Sequence, residues 1–213
     1  MEEFEVQSSG GDTRIIAPGE EVSRDARNIP GCYVANGKTY AAVVSLLREG
    51  RVVPLKGLYV PVSGDYVVGI VTEARFSGYL VELHSPYEGN ISSRETREEF
   101  KLGDVVSAKI AEVNEVNEAI LVQPHTISGG TIIEIDAVKI PRVIGRSGSM
   151  LQMITDFSGT ELFVGKNGRI YLRGGDVALA GQAINKIAAE AHTSGLTDRV
   201  KAFLESESGK SPK

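Results

Sequence analysis

The residues with the most chemical character lie in one short stretch, Arg142-Val143-Ile144-Gly145-Arg146-Ser147-Gly148-Ser149. Glycine adopts positive φ at little cost and has no side chain to block a close approach. Gly145 and Gly148, three apart, therefore let the chain turn sharply. Apolar Val138, Val143 and Ile144 run into the turn, and Leu151, Ile154 and Phe157 leave it at near-helical spacing. A helix opening at Ser149 directs its free amides and positive dipole end at the same point. Arg146, between the glycines, adds a cation that stays charged. Arg142 adds another, and Ser147 and Ser149 complete the set. These groups hold a phosphate backbone; none of them activates one.

Gly165-Lys166-Asn167-Gly168 is a second Gly-x-x-Gly match, so the surroundings decide between the two. It lies between strand-like runs at 161–164 and 169–173, and its Asn-Gly pair reads as a β-hairpin turn. Around the first match the order is a strand over 132–135, a short helix, the Gly loop, a helix, a hairpin and a long helix. The long helix takes Asp176 as its N-cap and carries Val177, Ala180, Ile184, Ile187, Ala188 and Ala191 on one face. That order, with Ile144-Gly145-Arg146-Ser147-Gly148-Ser149, resembles a type I KH domain over 131–193. The resemblance implies a clamp on about four nucleotides of single-stranded RNA. A plain helix-hairpin-helix turn is the alternative for the same glycines. A nucleotide-triphosphate loop fits less well, because no Gly-Lys-Ser/Thr follows and a helix, not a strand, precedes.

The bulk numbers set limits on this reading. The chain has 213 residues, enough for one large domain or two to three small ones. No apolar run is long enough to cross a membrane, and residues 1–10 lack the basic start of a signal peptide. A cytoplasmic protein is expected. The single cysteine, Cys32, excludes an internal disulfide, and His84, His125 and His192 show no metal-ligand spacing. No cofactor or metal site is expected. The net charge is −5, distributed unevenly: 64–123 carry 5 basic and 11 acidic residues, 131–193 carry 7 and 6. Neither segment is basic enough for strong non-specific binding by counterion release. Weak intrinsic RNA binding, or a share in a composite site, follows.

The elements that position the loop are read in chain order. Residues 1 to about 12 are polar and expected to fray. From Ile15 to about Pro61 the signals are β, with a turn at Pro18-Gly19 and a hairpin mark at Asn36-Gly37; 52–55 and 58–62 read as short strands. Gly64-Asp65 opens a second unit with β runs at 66–71, 79–83, 105–112 and 119–122. A second Gly-Asp, Gly103-Asp104, restarts a strand in the same way. These features resemble the S-one type of OB-fold over 64–123, which implies a five-stranded RNA-binding barrel. In that family an aromatic-Gly-x-aromatic segment on strand two stacks bases. Alignment on Val81-Glu82-Leu83 puts Ser77 and Leu80 at those positions, with Phe76 and Tyr79 one residue earlier. A one-residue shift moves a side chain to the opposite face, so Phe76 and Tyr79 either stack bases or pack in the barrel. Arg75 and Arg94 are the barrel cations placed for phosphate. A linker, 123–130, leads into the KH unit; after it a last short helix carries Val200, Phe203 and Leu204, and 206–213 read as disordered.

The fold class expected is multidomain α+β: a small β domain (1–63), an OB-type barrel (64–123), a type I KH domain of order βααββα (131–193), and a C-terminal helix with a disordered tail (194–213). That order, with Tyr59-Val60-Pro61-Val62-Ser63-Gly64-Asp65, resembles the S-one-plus-KH cap subunits of the archaeal exosome over about 12–205. The other cap type carries a zinc ribbon, which one cysteine cannot supply. The resemblance implies a non-catalytic RNA-binding subunit for RNA degradation and processing. Three such caps sit on a hexameric ring of phosphorolytic ribonuclease subunits, docked by the amino-terminal domain, and guide RNA 3′ ends inward. Two rivals come from other classes. One is a free-standing RNA-binding translation or ribosome-associated factor. The other is a nuclease whose Glu95, Glu98, Glu99 and Asp104 hold magnesium.

Overall fold

The computed structural model describes residues 14–27, 29, 31–48, 51–55 and 57–208. The fraying expected for residues 1 to about 12 lies outside them, as do 209–213 of the expected tail. The chain divides into two units, residues up to 57 and residues from 58 onward.

The first unit is all β, in two three-stranded sheets. Strands β1 (Arg14–Ile16), β5 (Ser45–Arg48) and β6 (Arg51–Pro54) form one, in the order β1-β5-β6. Strands β2 (Glu21–Ser23), β3 (Cys32–Ala35) and β4 (Lys38–Ala41) form the other, in the order β2-β4-β3. The β3–β4 turn has positive φ at both Asn36 (50°) and Gly37 (76°). This is the geometry that matches a tight hairpin to the strand twist. Thr39 is fully buried; its hydroxyl donates to the Asp25 carbonyl at 2.7 Å and accepts from the Arg27 amide at 2.9 Å. Those bonds satisfy a polar group that burial would otherwise penalise.

The second unit begins with a segment that departs from the expected strand over 58–62. It pairs with no sheet. Leu58, Val60 and Val62 are exposed, whereas Tyr59 enters the barrel core and donates its hydroxyl to Asp65 at 2.9 Å. The alternation is real but serves one buried anchor rather than a ladder. The barrel itself is closed by β7 (Tyr66–Arg75), β8 (Gly78–Glu82), β9 (Glu88–Ser92), β10 (Val105–Val113) and β11 (Glu118–Thr126). All neighbours are antiparallel except β9 and β11, which run parallel and close the cylinder. Val67, Val71, Val81, Leu83, Ile91, Val106, Ile110 and Leu121 fill it. Burying each such side chain contributes about 1.5–3 kcal/mol. Strand β11 runs to Thr126, so the linker is shorter than expected.

The rest of the unit follows the βααββα order. Strand β12 (Thr131–Glu134) leads through a 3-10 turn, Ala137–Lys139, to α1 (Ile140–Ile144), and a second 3-10 turn, Arg146–Gly148, joins it to α2 (Ser149–Ser158). Then come β13 (Glu161–Val164), β14 (Arg169–Arg173) and α3 (Val177–Glu190). The sheet order is β12-β14-β13, wholly antiparallel. Asp176 caps α3 by accepting the Leu179 amide at 2.9 Å. Ala180, Ile184 and Ile187 lie one and two turns apart, and all are fully buried against Ile140, Ile154 and Ile170. A further helix, α4 (Leu196–Ser208), seals this core with Leu196, Val200 and Leu204, spaced four apart. It extends three residues into the segment read as a tail.

Barrel and KH unit share a polar seam at the β13–β14 turn, the second Gly-x-x-Gly. Asn167 is 1% exposed. Its amide nitrogen donates to the Val68 carbonyl at 2.7 Å and to the Leu83 carbonyl at 2.9 Å, and its oxygen accepts the Val68 amide at 3.2 Å. Beside it Arg169, 4% exposed, donates to Glu134 of β12 at 2.8 Å, to the Glu82 carbonyl at 2.9 Å and to the Glu82 carboxylate. Replacing Asn167 by Ala strands three buried backbone groups, at a cost of about 3 kcal/mol. Asn167→Asp, which turns both donors into acceptors facing carbonyls, costs more. Urea unfolding followed by circular dichroism should show the order wild type, Ala, Asp; equal midpoints would mean the seam is dispensable.

Candidate nucleic-acid interface

The Gly loop is built by three left-handed residues. Gly145 has φ 75° and ψ 179°, Ser147 has φ 52° and ψ 31°, and Gly148 has φ 80° and ψ 6°. A side chain at Gly145 would meet the Met150 backbone nitrogen and Cβ at 2.7 Å, so this position needs glycine for space as well as for φ. Gly148 has open space around it and needs glycine for φ alone. Ser147 holds a left-handed conformation that costs a non-glycine residue about 1 kcal/mol. Nothing in the sequence signalled it.

No side chain caps α2, which opens at Ser149 as expected. The Ser149 amide donates to the Arg146 carbonyl, so the turn itself leads into the helix, with the positive end of the helix dipole behind it. Arg142, Arg146, Ser147 and Ser149 are exposed, and neither arginine makes an ion pair with a described residue. Lys139 is different. Although close in sequence, it is buried, and loss of hydration pushes its ammonium pKa down, partly offset by Asp136. It packs rather than presents charge.

On the barrel, the expected residues separate into two roles. Phe76 occupies the two-residue turn between β7 and β8 and is wholly exposed. Arg94 lies beside the same end, since the Ser93 amide donates to the Ser77 carbonyl at 3.0 Å. Arg75, at the end of β7, is held by Glu73 at 2.8 Å, which raises its pKa and occupies its charge. Tyr79 packs against the barrel core and meets buried Phe100 edge to face, with ring centroids 5.0 Å apart. Leu80, by strand alternation, faces the other way and lines an open recess of about 300 Å³ with Thr72, Tyr87, Glu82 and Glu88. At this recess strand two thus carries a buried aliphatic side chain near carboxylates, and the barrel rim offers an aromatic ring.

Two of the four carboxylates of the rival magnesium reading, Glu98 and Asp104, have other partners. Glu98 accepts from the Thr126 amide and hydroxyl, and Asp104 accepts the Lys101 amide at 2.8 Å. No group of three or more acidic, histidine or cysteine side chains among the described residues is arranged to hold a metal ion. No described helix is long and apolar enough to cross a membrane.

No family model matches the chain. Curated archaeal proteins match it nearly end to end. The exosome complex component Rrp4 of Thermofilum pendens is 40% identical over 221 residues, spanning 91% of this chain and 93% of that protein. The Rrp4 of Methanosarcina barkeri is 36% identical over 219 residues, spanning 93% and 84%. The chain belongs to the Rrp4 family of exosome components. A crystal structure assigned to an exosome complex RNA-binding protein superposes with TM-score 0.65 at 34% identity, covering 71% of this chain and 97% of that one.

Within the Rrp4 fold the two loop glycines therefore differ in kind, and this is testable. Gly148→Ala should cost about 1 kcal/mol, the strain of a left-handed alanine. Gly145→Ala should cost at least 3 kcal/mol, because the added methyl meets backbone as well as a forbidden conformation. Thermal unfolding of the two variants checks the order, and equal losses would contradict it. The seam adds a pH dependence. Its hydrogen bond from Arg169 holds Glu134 below a glutamate's ordinary value of 4.5. A depressed carboxylate stabilises the folded state above that value and loses the contribution as pH falls through the folded pKa. The stability advantage of wild type over Glu134→Gln should be full at pH 7 and shrink below pH 4.5. A gap that does not narrow would show that Glu134 stays neutral or unpaired.

Proposed function

We propose that this chain is a non-catalytic RNA-binding cap subunit of an archaeal exosome, acting in the cytoplasm. The amino-terminal β unit docks on a hexameric ring of phosphorolytic ribonuclease subunits. Three copies surround the pore through which RNA enters. The barrel and the Gly loop hold the single strand while its 3′ end reaches catalytic sites carried by other chains. Membership in the Rrp4 family supports the assembly. The observation that carries RNA binding is the start of α2, which has no side-chain cap, beside exposed Arg146, which pairs with no described carboxylate, in a turn of three positive-φ residues.

In this reading Gly145 and Gly148 shape the loop and leave room for a close approach. Arg142, Arg146, Ser147 and Ser149 meet phosphates, Phe76 stacks a base at the barrel rim, and Arg94 with Arg75 supports it. Tyr79 contributes through the core that steadies the rim. A cap of this kind binds modestly on its own, since each subunit offers only a few cations and single-stranded RNA releases about 0.7 counterions per phosphate neutralised.

The test joins two measurements. Arg146→Asp with Ser147→Asp should lower the RNA affinity of the assembled complex about tenfold, with the thermal midpoint near wild type. The purified chain alone should leave RNA length unchanged with phosphate, with magnesium and with both. Unaltered affinity would reduce the KH unit to architecture, and processive trimming by pure protein would overturn the cap assignment.

A further inference from the structure

The seam described above does more than join two folds. Its outer surface brings together an aromatic ring and two lysines from three separate elements. Tyr66, the first residue of β7, is 50% exposed. Lys109 of β10 sits directly opposite Tyr66 in the barrel register, with its ammonium 5.8 Å from the ring centroid. Lys166, in the β13–β14 turn, donates its backbone amide to the Tyr66 carbonyl at 2.8 Å and is itself exposed. Neither lysine pairs with a described carboxylate, in a barrel that carries 11 acidic residues against 5 basic.

We infer that Tyr66, Lys109 and Lys166 form a second contact for single-stranded RNA at the barrel–KH seam. The argument rests on chemistry and on rigidity. An exposed ring with one ammonium 5.8 Å from its centroid, and a second lysine anchored by its backbone to the same tyrosine, suits one nucleotide, with the base against the aromatic face and the phosphate against the cations. Lysine ammonium is a compact point charge that binds phosphate without fixed geometry. The site is also preorganised. The Lys166 backbone bond to Tyr66 and the buried Asn167 amide next to it hold the turn against the strand. Little conformational entropy is then lost on binding. The chain leaves the Gly loop along α2, turns at Gly159 and reaches the seam along β13. The seam thus belongs to the same compact unit as the Gly loop and the barrel rim. A protein partner would favour an apolar, uncharged surface at this point.

This inference rests on the RNA-binding reading, and the experiment separates the two. Full-length variants Lys166→Glu, Tyr66→Ala and Tyr66→Phe are compared with Arg146→Asp/Ser147→Asp for binding to a short fluorescent oligoadenylate at low salt. Lys166→Glu and Tyr66→Ala should each weaken binding about three- to tenfold. Tyr66→Phe, which keeps the ring, should bind as wild type. The slope of log affinity against log salt should fall by about 0.7 in Lys166→Glu. Because the Lys166 side chain is exposed, that variant carries the test even if Tyr66→Ala fails to fold. Wild-type affinity in Lys166→Glu, with loss in the Gly-loop variant, overturns the seam contact and leaves the loop reading standing. Wild-type affinity in both overturns both. Loss of ring association in Lys166→Glu without loss of RNA affinity makes the seam a protein interface and also overturns the proposal.

Discussion

The fixed relation of the barrel to the KH unit depends on one buried amide. Asn167 has three hydrogen-bonding directions available to strand backbone, and all three are used on the barrel. A buried polar contact of this kind adds modestly to stability when complete and penalises every alternative arrangement, because each leaves donors or acceptors stranded. Its contribution is therefore mainly to uniqueness. Arg169 extends the same logic with charge: a nearly buried guanidinium is tolerable only with both Glu82 and Glu134 in place, one from each fold. Two apolar surfaces could slide against each other. This seam cannot slide without breaking several bonds at once, so the Gly loop and the barrel rim keep a fixed relation.

The amount of this that the residues disclosed in advance follows a physical division. Local signals were legible. Asn36-Gly37 made its hairpin, Asp176 capped α3, and the four-residue spacing of Ala180 and Ile184 marked the buried face. The Gly loop between two helices was readable because glycine spacing and apolar periodicity are both short-range. Long-range pairing was not legible. Strand β9 reads Glu-Gly-Asn-Ile-Ser, polar enough for a connector, and becomes a strand because β8 runs antiparallel on one side of it and β11 parallel on the other. Gly89 is needed there since a side chain would strike Leu121 and the Val81 carbonyl. The 58–62 alternation misled for the converse reason, since one inward tyrosine satisfies the pattern without a partner strand.

The candidate site shows the same division. Residue type identified Arg146 and Phe76, while accessibility and partners came only from the fold. Tyr79 and Phe76, three residues apart, end in opposite environments because β8 begins between them at Gly78. Lys139 and Arg142 look equivalent in the sequence, yet one is buried beneath the helix pair and the other is exposed. The second Gly-x-x-Gly reads correctly as a turn, but its partner lies 99 residues earlier, beyond the reach of any local pattern.

That separation has a consequence for how the molecule is made. The last barrel strand ends at Thr126, and Asn167 leaves the ribosome later by the time needed for the residues between them. At ordinary rates of synthesis this is roughly two to eight seconds, far longer than strands and hairpins take to form. The barrel is thus complete on the nascent chain while the surface awaiting the KH unit is still open. What it presents in that interval is backbone carbonyls at Val68 and Leu83 and a glutamate at position 82, all of which water satisfies. A hydrophobic seam would expose a sticky half-interface on every growing chain; a hydrogen-bonded one lets the first fold wait, solvated, for the second.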